Sequence, residues 1–197
     1  MSAALRFDPM TGFTTLPDDL PVPEDDGAAD HLAGAALPGL ALLATSGETV
    51  ALDRLDSGRT VLYFYPLTGR PGVELPDGWN DIPGARGCTT EACDFRDHHA
   101  DLAAAGVATV YGVSSQQSDY QGELVERLEL PFSMLADPGL ELATALDLPT
   151  FTAAGERLYR RLTLVARDGH AEHVFYPIFP PNEHAQQVLA WLHANPA

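Results

Sequence analysis

The sequence predicts a single α/β domain built on a mixed β-sheet flanked by helices, and three observations predict it. The chain has 197 residues with 45% apolar content, enough for one good-sized core and short for two. From residue 60 onward, β-branched and aromatic runs alternate with segments of helical spacing, the pattern of strands joined through helices. Two late strand-like runs, around 161–166 and 171–175, flank Arg167-Asp168-Gly169-His170, which adds an antiparallel hairpin and makes the sheet mixed.

Residues 1–36 carry Pro17, Pro21 and Pro23 among acidic residues, a composition that predicts an extended, poorly packed arm ahead of a domain at 37–197. LALLATSGETVALDRL then predicts a strand, a turn at Ser46-Gly47 and a second strand. Thr60 to Tyr65 (TVLYFY) predicts a buried central strand. Pro66 to Gly87 holds four Pro and five Gly in 22 residues and must be largely loop, long enough to be a lid over a pocket or a surface excursion. A helix follows from Cys88 and stops at Gly106. Further along come a strand at 107–113, a helix at 117–128, a short strand at 131–135, a short helix at 140–146, the hairpin, and a closing helix at 182–193. Tyr176 to Pro181 (YPIFPP) reads as a loop, an apolar wall beside a site, or a subunit contact.

The net charge is −17, and all 11 basic residues are Arg, which argues against nucleic acid and anionic membrane surfaces as partners. The start lacks a basic patch followed by an apolar run, so a cytoplasmic location is expected. The apolar stretch at 33–44 is interrupted by Pro38 and too short to span a bilayer.

Two cysteines do not make a structural disulfide framework, and their spacing points to redox or metal chemistry. Cys88 follows a Gly-rich loop and opens a helix, where unpaired N–H groups and the helix dipole favour a thiolate. Arg86 and Arg96 are the neighbouring cations in sequence. In an intact helix Cys93 stands about 7.5 Å along and about 140° around from Cys88, with Cα atoms roughly 8–9 Å apart. A disulfide needs less than about 7 Å, so pairing requires the first turns to unwind. Thr89 and Thr90, weak helix formers, sit at that point. Inert buried thiols are one alternative, and a metal site using His98 and His99 is another, although adjacent histidines on a helix point about 100° apart. The histidines at 31, 170, 173, 184 and 193 read as solvated, and Phe64, Tyr65 and Phe95 as core.

The residues GCTTEACDFRD after FYP resemble the active-site region of peroxiredoxins, most closely the peroxiredoxin Q or bacterioferritin-comigratory group. With VYGVSS, PFSMLADPG and RLTLVARDGHAEHVF, the resemblance runs from about residue 37 to the end. It implies a thioredoxin-like fold and a thiol peroxidase in which Cys88 attacks the peroxide and Cys93 resolves it. It further implies an Arg at the penultimate strand that contacts sulfur and peroxide, here Arg161, and an acidic or amide group three residues after the attacking cysteine, here Glu91. Gly87 and Pro66 match supporting positions. The family hydroxyl and proline that precede the cysteine are absent, since Asp81 and Ala85 stand there, and about fifteen extra residues intervene. Thr68 is the nearest hydroxyl that can replace the missing one. The implied partners are a hydroperoxide and a thioredoxin-like reductant, with no cofactor and no metal, in a monomer or weak homodimer. The rival functions are a thioredoxin-like disulfide oxidoreductase, disfavoured by the Cys-x4-Cys spacing, and a redox-responsive binding protein without peroxidase turnover.

Overall fold

A computed structural model describes residues 16–196. Nine strands and five α-helices follow one another along it. Strands β1 (Ala41–Ala44) and β2 (Thr49–Ala51) open the domain, and β3 (Arg59–Phe64) leads into the long loop. Helices α1 (Cys88–Asp97) and α2 (His99–Ala104) precede β4 (Val107–Ser114), α3 (Ser118–Leu128), β5 (Met134–Ala136) and α4 (Glu141–Leu146). The chain ends with β6 (Thr150–Ala153), β7 (Glu156–Tyr159), β8 (Leu162–Arg167), β9 (His170–Phe175) and α5 (His184–Ala194).

Seven strands form one sheet in the order β2-β1-β5-β4-β3-β8-β9. β3 runs parallel to β4 and antiparallel to β8, so the sheet is mixed, as the late hairpin implied. The β8–β9 turn is made by Asp168 and Gly169, both at positive φ, the geometry that suits a tight hairpin. The single helix expected at 88–106 is two, because His98 leaves helical geometry at φ −102° and ψ 9°. There its Nδ1 lies 2.9 Å from the Asp94 carbonyl oxygen and 3.1 Å from an Asp94 carboxylate oxygen.

Alternation along β3 builds two cores on opposite faces. Val61, Tyr63 and Tyr65 join Cys88, Ala92, Phe95, Leu102, Leu124, Val188 and Leu192 from α1, α2, α3 and α5. Leu62 and Phe64 join Leu42, Leu135, Leu142, Leu164 and Tyr159 on the other face. Phe95 stacks on Tyr63 at 4.4 Å, fixing α1 over the sheet. Gly112 in β4 is required by this packing, since a Cβ there would meet Met134 and the Tyr63 ring within 2.7 Å.

The described part of the 1–36 arm is mostly exposed or half-buried, with Leu32, 1% exposed, anchored in the second core and Asp26 accepting a 2.8 Å hydrogen bond from the Tyr176 hydroxyl. The β6–β7 hairpin was not expected, and it has a definite role, because Phe151 and Leu158 on it pack with Trp79, Ala85, Leu75 and Ile82 from the long loop in a third core. The loop therefore has an apolar floor of its own.

His184, expected in solvent, is fully buried at the start of α5, edge-on to Phe95 and Phe175 and 2.8 Å from Thr163 Oγ1. Burial pushes its pKa down to about 3, so the folded ring is neutral at ordinary pH. The unfolded ring binds a proton near its ordinary value, so this site favours the folded state above pH 6.5 and loses that contribution as pH falls towards 3. His184→Gln is expected to flatten this acid limb. Chemical denaturation as a function of pH should show the two proteins diverging below about pH 6, by up to roughly 4 kcal/mol near pH 3.

Candidate active site around Cys88

Cys88 is the first residue of α1, and Gly87 caps it from the left-handed region at φ 106°. Only glycine suits this position, for a second reason as well: a Cβ would collide with Pro181 and press on Leu16. Pro181 belongs to the YPIFPP segment, which thus forms an apolar wall at the helix start. The Gly87 carbonyl accepts the Glu91 N–H at 2.9 Å and the Thr90 hydroxyl at 2.8 Å, closing the first turn.

Cys88 is 3% exposed, and its sulfur has three polar neighbours. Arg161 Nη2 donates to it at 3.2 Å, the Leu67 backbone N–H donates to it, and the thiol itself donates to the Ala85 carbonyl at 3.5 Å. Arg161, one residue before β8, is buried along its whole side chain. It forms an ion pair through Nη1 with Glu91 and also reaches the carbonyls of Ala85 (3.4 Å) and Arg86 (3.3 Å). Arg160 points away, with its guanidinium 3.5 Å from Asp26.

Burial pushes the Cys88 thiol up, Arg161 pulls it down, and Glu91 pushes it up again, with the net direction upward. The helix start alone does not set this balance; the guanidinium from β8 is the nearest charge. Burial also pushes Glu91 up, to about 7, against the downward pull of Arg161. Neither sequence neighbour is the cation at the sulfur. Arg86 lines the cleft beside it, and Arg96 is turned to Asp97 and the Leu128 carbonyl.

Thr68 does not take the place of the missing hydroxyl. Its Oγ1 donates to Gln116 Oε1 at 3.0 Å, and its carbonyl accepts from Gln116 Nε2 and the Tyr120 hydroxyl. What Thr68 does is fix the backbone next to Leu67, whose N–H supplies the hydrogen bond instead. Pro66 is buried, and its carbonyl accepts from Ser114 Oγ at 3.4 Å, anchoring the same segment. Sequence reasoning missed Leu67 and Ala85, which act through backbone atoms and leave no side-chain signal. Gln116 had one available signal, its place just beyond the C-terminal end of β4, where open α/β sheets gather ligands.

Cys93 is half-buried in the second turn of α1, and both cysteines are free thiols. Burial pushes its pKa up, while Arg96 and Arg127 pull it down and Asp97 pushes it up. The helix between the cysteines is continuous. No group of three or more His, Cys, Asp or Glu side chains among the described residues is placed to hold a metal ion. A narrow cleft opens onto Cys88 between Leu67, Gly69, Leu75 and Trp79 on one side and Arg86 and Thr89 on the other.

A buried cysteine at a helix start, gripped by an arginine from the strand antiparallel to β3, defines a redox-active thiol site on an α/β sheet. The redoxin family model matches residues 32–189, and the chain belongs to that family. Within it, the chain is similar to the peroxiredoxin Bcp of Bacillus subtilis (strain 168), at 38% identity over 115 residues, covering 58% of this chain and 63% of that protein. It is also similar to a putative chloroplastic peroxiredoxin Q of Oryza sativa subsp. indica, at 27% over 159 residues, covering 79% and 64%. The chain thus spans slightly less than two thirds of the length of these relatives. Among solved structures, the peroxidoxin BcpB of Mycobacterium tuberculosis superimposes with a TM-score of 0.67 at 25% identity, over 84% of this chain and 98% of that one. The fold is thioredoxin-like, with the resemblance to the peroxiredoxin Q and Bcp group seen in the sequence.

The opposing pulls on Cys88 give predictions of opposite sign. Arg161→Met removes the downward pull and should raise the thiol pKa, whereas Glu91→Gln removes an upward push and should lower it. Thiolate ultraviolet absorbance against pH checks both, and equal shifts in one direction would sink this account of the site.

Proposed function

We propose that this chain is a thiol-dependent peroxidase that reduces hydrogen peroxide and small organic hydroperoxides through Cys88, with Cys93 as the resolving thiol. The observation that carries the reading is the pair of donors aimed at one sulfur, Arg161 Nη2 at 3.2 Å and the Leu67 N–H, at the foot of a cleft open to solvent. The same donors can follow charge as it moves from sulfur to oxygen.

The Cys88 thiolate attacks the distal oxygen of the hydroperoxide and the O–O bond breaks. Sulfur is oxidised by two electrons to sulfenic acid, and the leaving alkoxide or hydroxide takes a proton and departs as alcohol or water. Arg161 stabilises the negative charge spread along the S–O–O axis, and Glu91 holds the guanidinium in place. A thiol whose pKa is raised, as burial raises that of Cys88, is present as thiolate less often, but each thiolate is the stronger nucleophile. The first turn of α1 then unwinds, the Cys93 thiolate attacks the Cys88 sulfur, and the sulfenic oxygen leaves as water. A thioredoxin-like dithiol returns the disulfide to two thiols by exchange.

In this reading Pro66 and Gly87 shape the backbone around the sulfur, residues 37–197 are the catalytic domain, and 1–36 is an N-terminal arm. The protein works in the cytoplasm as a monomer or weak homodimer. No helix among the described residues is long and apolar enough to cross a membrane. The names of the Bcp and peroxiredoxin Q relatives support the peroxidase assignment.

Reduced protein treated with about one equivalent of hydrogen peroxide is expected to lose both thiols rapidly, with the intact mass falling by two hydrogens. Cys88→Ser should abolish the reaction, and Cys93→Ser should halt it at the sulfenic acid, captured by a dimedone-type reagent. Thiols that persist at the rate of an ordinary cysteine would move the assignment to a redox-responsive binding protein.

A further inference from the structure

The long loop between β3 and α1 is not a loose excursion. Its short 3-10 turn at Trp79–Asp81 follows Gly78 in the left-handed region, and it turns the Trp79 side chain inward until only 3% of the residue is exposed. There the indole meets the Phe151 ring at 6.1 Å and packs with Ala85 and Leu158. The other edge of Trp79, with Leu75, forms a wall of the cleft leading to Cys88. One residue therefore belongs both to a small apolar core and to the cleft at the sulfur.

Two effects compete at such a wall. Apolar lining favours an alkyl group by roughly 10–200-fold per methylene that fits. Fit is what the space does not allow: the cleft leaves about 10 Å³ beside Cys88, room for little more than a water-sized molecule and far below the roughly 300–1,000 Å³ of sites that enclose drug-sized ligands. Moving the wall means pulling Trp79 from Phe151 and Leu158, against the packing of a small core. Exclusion wins for a bulky group, and hydrogen peroxide, which is little larger than water, is unaffected.

We propose that Trp79, held by Phe151 and assisted by Leu75, sets the upper size limit of the substrate, so that the site takes hydrogen peroxide and the smallest alkyl hydroperoxides and rejects bulky or aromatic ones. The proposal rests on the peroxidase reading above and adds the substrate class. Trp79 and Leu75 are specificity residues, packed in the same small apolar core as Leu67 and Ala85.

Rates of Cys88 oxidation by hydrogen peroxide, tert-butyl hydroperoxide and cumene hydroperoxide in single-turnover stopped flow test it, for the full chain and for Trp79→Ala, Trp79→Phe and Leu75→Ala. The native chain should favour hydrogen peroxide over cumene hydroperoxide by roughly 100-fold. Trp79→Ala and Leu75→Ala should each narrow that ratio by about tenfold while the hydrogen peroxide rate stays within about threefold, and Trp79→Phe should stay close to native. Leu75, half-buried at the cleft, supplies the answer should Trp79→Ala fail to fold. Cumene hydroperoxide keeping pace with hydrogen peroxide in the native chain would overturn the size limit alone. Variants that slow every peroxide equally would overturn it too. Failure of hydrogen peroxide itself to oxidise Cys88 would remove the peroxidase reading and this inference with it.

Discussion

The buried guanidinium of Arg161 is the interaction on which the site depends. It joins β8 to the Cys88 sulfur, to the Glu91 carboxylate one turn along α1, and to the Ala85 and Arg86 carbonyls that end the long loop. Taking an arginine and a glutamate out of water costs several kcal/mol per ion before their attraction is counted. Arg161 Nε and Glu91 Oε1 are buried without a hydrogen-bond partner among the described residues, so the compensation is incomplete. Such a pair is a poor device for stability. It is an effective one for holding a positive charge at a fixed distance from a thiol that burial alone would keep protonated.

Under the proposed mechanism the same contacts make the resolution step demanding. Cys88 and Cys93 lie on one continuous helix, and their approach requires its first turns to open. Opening gives up the Gly87 bonds to Thr90 and Glu91 and the Arg161 grip on the sulfur. The far end of α1 is held differently: Asp94 accepts the Ala185 N–H at 2.6 Å at the start of α5, and Phe95 stays stacked on Tyr63. The helix is thus pinned behind Cys93 and releasable ahead of it. This division lets Cys88 travel while Cys93 stays near Arg96 and Arg127.

The sequence made the large features legible because they are periodic. TVLYFY, VATVYGVS and the Arg167–His170 turn each carry a local signal, and their strands came within a residue or two of the observed ends. The pairing of Cys88, Glu91 and Arg161 was legible only through the resemblance, since 70 residues separate Glu91 from Arg161 and nothing in composition joins them. What stayed hidden was tertiary. The β6–β7 hairpin is short and half-exposed, with turn residues Ala154 and Gly155 that announce little. His184 looked solvated because helix starts usually are, and the α1–α5 contact that buries it is non-local.

The loop shows how a departure from the family pattern is absorbed. The chain leaves the sulfur at Leu67 and returns to it at Ala85, so both ends of the excursion meet at Cys88, and its middle is closed by Trp79 on the β6–β7 hairpin. Losing the motif hydroxyl cost the site a side-chain donor, and a backbone N–H replaced it. The two are not equivalent. A hydroxyl rotates and both donates and accepts, whereas the Leu67 N–H has one direction and only donates. Its aim is therefore set by the residues that fix its peptide, Pro66 held by Ser114 on one side and Thr68 held by Gln116 and Tyr120 on the other. The polar network that sequence reasoning looked for beside the sulfur has moved one step outward, from the group that touches sulfur to the groups that orient it.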